Sequence, residues 1–165
     1  MKDFFKRRAK LLISLLLIFQ MLFIFVMSSF GSDSSNAQSS QIIQVLHQVF
    51  PNLSSRISGL DDASVLTFIV RKTAHFTEYA ILGILFYFFY RQVLPQKNGL
   101  QLFVLAILSS FLYACTDEIH QLFVPGRSGQ FTDVLVDTLG ASFGCTFLSF
   151  SNYLRRVLRA RRHSQ

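Results

Sequence analysis

Long apolar runs separated by short polar breaks dominate this chain, and the lengths of the runs set the first expectation. Leu11 to Phe30 is twenty residues without a charge, which as a helix rises about 30 Å, the thickness of a bilayer's hydrocarbon core. Ala74 to Tyr90, Leu100 to Thr116 and Val134 to Phe150 are three further apolar runs of seventeen residues, with polar groups toward one end. They stand near the lower limit for spanning. The pattern predicts an all-α integral membrane protein, a single domain over residues 1–165 with four transmembrane helices in a small bundle.

The breaks predict the rest. Gly31 to Ser40, GSDSSNAQSS, is polar and reads as an exposed, mobile extracytoplasmic linker. After it, Ile42, Ile43, Val45, Leu46, Val49 and Phe50 fall at helical spacing up to Pro51. This predicts a short amphipathic helix, lying on the membrane surface or packed on the bundle. Asp61 and Asp62 are placed to cap a helix from Ala63 that meets no breaker before Arg91, longer than the membrane needs. A third helix is expected to end near Gln121, a turn to form at Pro125-Gly126, and Thr132 to cap a fourth.

Charge gives the orientation. Twelve of the sixteen basic residues lie in the N-terminal tail, the loop at Arg91 and Lys97, and the C-terminal tail, where Asp3 is the one acid among nine. Because Lys and Arg are retained in cytoplasmic loops, both termini are expected in the cytoplasm of a multi-pass protein of a bacterial cell membrane. Basic tails beside apolar helices contact anionic lipid, so the net charge of +7 does not imply nucleic acid. The basic start and apolar run also suit a signal peptide, but the run is long and Met27-Ser28-Ser29 is a poor cleavage site, which favours a retained helix. Cys115 and Cys145 fall inside predicted spans and read as packing residues; the acids after Cys115 disfavour a thiolate there.

The remaining charges gather at helix mouths. Lys72, His75, Tyr79 and Gly83 follow one another at steps of three or four, with Glu78 adjoining; Asp117 and Gln121 share a face beside Glu118. Asp133, Asp137, Gly140 and Gly144 recur at steps of four, three and four, so the acid face is also a small-residue packing face. With alternating spans these groups meet at the outer leaflet. Ionisable residues near membrane spans are rare unless paired or facing a cavity, which predicts one polar site from Lys72, His75, Glu78, Tyr79, Glu118, Gln121, Arg127, Asp133 and Asp137.

At these residues the chain resembles the VanZ-like family, integral membrane proteins named for a teicoplanin-resistance protein. The resemblance rests on Lys72, His75, Phe76, Tyr79 and Gly83, then on Glu118, Gln121, Pro125-Gly126-Arg127, Asp133, Gly140 and Gly144. Asp137 departs from it, where Asn is expected in many relatives. The resemblance implies lowered susceptibility to teicoplanin-like lipoglycopeptides or a role with envelope lipids and wall precursors, without a defined reaction.

Each candidate has a sharp and a plain reading. Arg127 suits a phosphate or carboxylate through its bidentate fork, or a loop-fixing pair with Asp133 or Glu118. His75 and Glu78 suit interfacial packing better than a metal, and no metal or cofactor is expected. Acid/base catalysis would use His75 with Glu118 or Asp133. No nucleophile elbow or phosphate-cradling Gly loop is present, and four helices without an inverted repeat disfavour a transporter. The leading expectation is a binding protein for an anionic or lipid-linked molecule, with membrane lipids and a lipid-linked wall precursor or lipoglycopeptide as partners. A membrane-embedded enzyme is the alternative. The sequence leaves the oligomeric state open.

Overall fold

A computed structural model describes residues 2–49 and 63–162, which form five helices and no strands. They are α1 (Lys2–Ser28), α2 (Ser32–Val49), α3 (Ala63–Val93), α4 (Gly99–Gln121) and α5 (Phe131–Arg162). Among these residues three stretches are long and apolar enough to cross a membrane: Phe4–Ser28, Gly99–Gln121 and Phe131–Phe150. The fourth predicted span, on α3, is not among them; its apolar run contains His75 and Glu78. Large apolar side chains point outward on all three, including Phe19, Leu112 and Phe147, as expected where the surroundings are hydrocarbon rather than water.

The most extensive interface is between α3 and α5, and small residues make it. A Cβ on Gly83 would lie 2.8 Å from the Ala141 carbonyl oxygen, and Cβ atoms on Gly140 and Gly144 would run into the carbonyls of Phe76 and Ala80. The predicted small-residue face of α5 therefore lies backbone to backbone against α3, burying Asp137 completely. Polar contacts tie α1 to its neighbours: Tyr113 Oη donates to the Met21 carbonyl at 2.5 Å, and Gln20 Nε2 to the Glu78 carbonyl at 3.1 Å. Between α3 and α4, Asn98 starts α4 with a capping box: its side chain accepts from Gln101 N at 2.9 Å and its own N–H donates to Gln101 Oε1 at 3.2 Å.

Several boundaries differ from expectation. The first helix ends at Ser28, not Phe30; the last starts at Phe131, one residue before the expected Thr132 cap, and runs on through the basic segment to Arg162. The largest difference is the predicted linker, Gly31 to Ser40, most of which is the first half of α2. Serine tolerates a helix here because its hydroxyl bonds back to the preceding turn, Ser39 Oγ to Ser35 O at 3.0 Å and Ser40 Oγ to Asn36 O at 2.9 Å. Ser35 and Ser39 are buried, so tertiary packing of a small-residue face overrides a weak helix propensity. The apolar stretch from Ile42 is the second half of the same helix, not a separate element. The Asp61-Asp62 cap and the stop at Pro51 lie outside the described residues.

Candidate functional site

The predicted polar residues do come together where the middle of α3, the end of α4 and the start of α5 meet, but their pairings differ from those expected. Lys72 takes the Asp133 carboxylate, through a salt bridge with side chains 23% and 14% exposed, and its ammonium also lies 5.1 Å from the Phe68 ring centre. Asp133 occupies the first turn of α5, where the helix N-terminus favours negative charge.

Glu118 has a structural task. Gln130 N–H donates to Glu118 Oε2 at 2.7 Å, and Gln121 Nε2 bridges to Glu118 Oε1 at 3.3 Å and Asp117 Oδ2 at 3.1 Å. The carboxylate thus accepts from an otherwise unpaired N–H ahead of α5 and ties the loop between α4 and α5 back onto α4. Gly129 fits because any side chain there would strike the Glu118 carbonyl and Leu122.

Arg127 pairs with neither Asp133 nor Glu118. Its Nε donates to the Phe30 carbonyl at 3.1 Å, joining its loop to the turn between α1 and α2. That turn is seated on the PGR segment: Gly126 has φ 73° and faces Ser32, and Gly31 lies against the Pro125 carbonyl. Nε is committed to a neutral carbonyl, and among the described residues no carboxylate forms an ion pair with the guanidinium. Burial, and then the charge of Arg71, lower the pKa of Arg127 from its ordinary value, while Asp117, Glu118 and Asp133 oppose the shift. An arginine remains charged regardless.

Arg71, His75, Glu78 and Arg127 line a cavity of about 80 Å³ roofed by Ser35 and Ser39 of α2. Deeper in, His75 Nδ1 is 3.8 Å from Asp137 Oδ1, too far for a hydrogen bond. His75 Nδ1, Tyr79 Oη, Asp117 Oδ1 and both Asp137 oxygens are buried without a hydrogen-bond partner among the described residues, where each such group ordinarily has one. Among those residues no three His, Cys, Asp or Glu side chains form a metal-binding group.

His75 therefore faces Asp137 rather than the acid partners expected, Glu118 and Asp133, which are engaged elsewhere. His120 stays outside the site: its Nε2 lies 3.1 Å from Ser29 Oγ and its ring 4.5 Å from that of Phe25, fastening α4 to the end of α1. Cys145 is fully buried and Cys115 half-buried, both as free thiols. The residues left out of the predicted site are Arg71, Ser35, Ser39 and Gln130; the two serines are four apart and precede Ile42 at the next helical step, a periodicity hidden by their polarity.

The architecture defines a small helical membrane-type protein whose charged centre is covered by a serine-lined helix. A sequence model of the VanZ/LLP1 family matches residues 13–152, and the chain belongs to that family. No curated protein and no solved structure gives a significant match.

Proposed function

We propose that the protein binds an anionic molecule, a phosphate- or carboxylate-bearing one, in the cavity enclosed by the end of α1, α2, α3 and the Arg127 loop, beside the polar junction of α3, α4 and α5. The observation that carries this reading is the cavity into which Arg71 and Arg127 converge while Lys72 neutralises Asp133. Two guanidinium groups outnumber the one carboxylate of the lining, that of Glu78, and a guanidinium fork matches phosphate or carboxylate geometry. Glu118 acts as a positioning residue, holding the loop that carries Arg127. In this reading four helices cross a bacterial cell membrane, both termini are cytoplasmic, the site opens at the outer leaflet, and occupancy there lowers susceptibility to teicoplanin-like lipoglycopeptides.

The topology is tested by cysteine accessibility in cells, in a background with Cys115 and Cys145 replaced. Asn36, exposed on α2, is expected to react with an impermeant thiol reagent when changed to Cys, and a Cys at position 165 to be spared. The opposite pattern removes both the four-span topology and the outer-leaflet site.

The function is tested in a susceptible Gram-positive host expressing the protein, Arg127→Lys or Glu118→Gln at matched membrane abundance. Arg127→Lys keeps a charge but loses the fork, and is expected to abolish the gain in resistance; Glu118→Gln is expected to reduce it in part, since an amide oxygen still accepts from Gln130 N–H. Resistance unchanged in both rejects the polar centre as the functional site. The second reading, an enzyme acting on a lipid-linked envelope precursor, is favoured by the unpartnered His75, Tyr79 and Asp137 polar atoms. A precursor species in the mass spectrum that appears or disappears with the wild type but not with His75→Gln would establish catalysis in place of binding.

A further inference from the structure

We infer that the anion bound beside Arg71 and Arg127 is the headgroup of a lipid, whose apolar chain lies in the groove between the end of α1 and α2. This rests on the anion-binding reading and adds the chain. The groove measures about 510 Å³ and is lined by Met27, Gln38, Gln41, Ile42, Val45 and Leu46, a size typical of ligand sites. Met27, Gln38 and Ile42 also line the small arginine cavity. The two spaces therefore adjoin across these three side chains, one apolar and one carrying the two arginines, and a molecule occupying both has an anionic end and a hydrocarbon end.

α2 is built for such an occupant. Its first half turns Ser35 and Ser39 inward over the arginines, and its second half leaves Ile42, Val45 and Leu46 between 42% and 56% exposed beside the groove. The change from small hydroxyl residues to branched apolar ones along one helix follows the change from headgroup to chain. A free phosphate would use the cavity and leave the groove without a role. Because a chain in a bilayer already has apolar neighbours, the groove orients it rather than drawing it from water. The chain should accordingly reveal itself by its position more than by affinity.

The experiment uses the full chain in phosphatidylcholine nanodiscs with two photoreactive probes at trace amounts: a single-chain alkyl phosphate carrying a mid-chain diazirine, and the same chain with a phosphocholine head. The phosphate probe is expected to label Met27 and the Gln41–Leu46 stretch about tenfold more than the phosphocholine probe. Val45→Trp, at an exposed position where the fold tolerates substitution, is expected to erase that preference by filling the groove, as is Arg127→Gln by removing the head contact. Equal labelling by the two probes, or labelling by the phosphate probe that survives Val45→Trp, overturns the lipid assignment. Line broadening of inorganic phosphate in phosphorus NMR is read alongside. Broadening that depends on Arg127 without a preference among the probes leaves a free anion as the ligand and sinks the chain alone, whereas the absence of both sinks the anion-binding reading as well.

Discussion

Alanine at Gly144 is expected to destabilise the protein by about 1–3 kcal/mol, and valine there to prevent accumulation of folded protein. The added Cβ would collide with the Ala80 carbonyl, and one at Gly140 with the Phe76 carbonyl. Both obstacles are backbone atoms of α3, which cannot swing aside as a flexible side chain does, so the two helices must move apart. Separation also withdraws Asp137 from His75 and Asp133 from Lys72, and the damage reaches the site. Gly140→Ala should cost a similar amount, and the double variant less than the sum, because the space opened by the first substitution accommodates the second. Leu139→Ala, at a side chain 62% exposed on the outer face of α5, is the control and should change little. The measurement is thermal loss of the monodisperse peak in detergent. A Gly144→Ala protein that melts with the wild type would mean that α3 and α5 are not in backbone contact.

Those glycines show why much of the fold was legible. Gly140 and Gly144 are four apart on a helix that also carries Asp133 and Asp137, and membrane helices approach closely only where side chains are small. The apolar runs likewise located α1, α4 and α5, since a helix surrounded by hydrocarbon needs length and hydropathy above all. α2 was hidden for the complementary reason. Serine and asparagine have neither the hydropathy of a span nor the propensity of a surface helix, and the factors that hold Ser32 to Ser40 in a helix, burial of Ser35 and Ser39 against the bundle, are tertiary. Sequence periodicity computed on hydrophobic residues does not register a packing face made of hydroxyls.

The clustering of these charged residues was legible for a related reason: charged residues on one side of a bundle have few places to go except toward one another. The partners were not. Arg127 was expected to meet Asp133 or Glu118 because charge complementarity is visible in sequence, but a carbonyl such as that of Phe30 is invisible there, since every residue carries one. The same holds for Glu118, whose principal donor is the backbone N–H of Gln130. Lys72 and Asp133 lie 61 positions apart, and only the crossing of α3 and α5 selects this pair over several alternatives of equal charge.

That pair gives the second large effect. Lys72→Met is expected to cost about 2 kcal/mol, below the roughly 3–5 kcal/mol of a fully buried pair because both side chains retain some exposure. The carboxylate left behind still has the N-terminus of α5 for support. Asp133→Asn should cost more, since it removes the acid partner of Lys72 from a site that also contains Arg71 and Arg127, leaving three cations together. The double variant Lys72→Met with Asp133→Asn should recover most of the loss, the coupling being the signature of a direct pair. Binding should respond with a different sign pattern from stability. Asp133→Asn makes the cavity more positive and should tighten an alkyl phosphate, Lys72→Met should weaken it, and the double variant should lie near the wild type. Thermal melts and phosphate-probe labelling on the same four proteins read both patterns. Strictly additive stabilities would remove the pair from the account of the fold, and anion binding that follows stability across the series would mean that the cations shape the helix junction instead of holding a ligand.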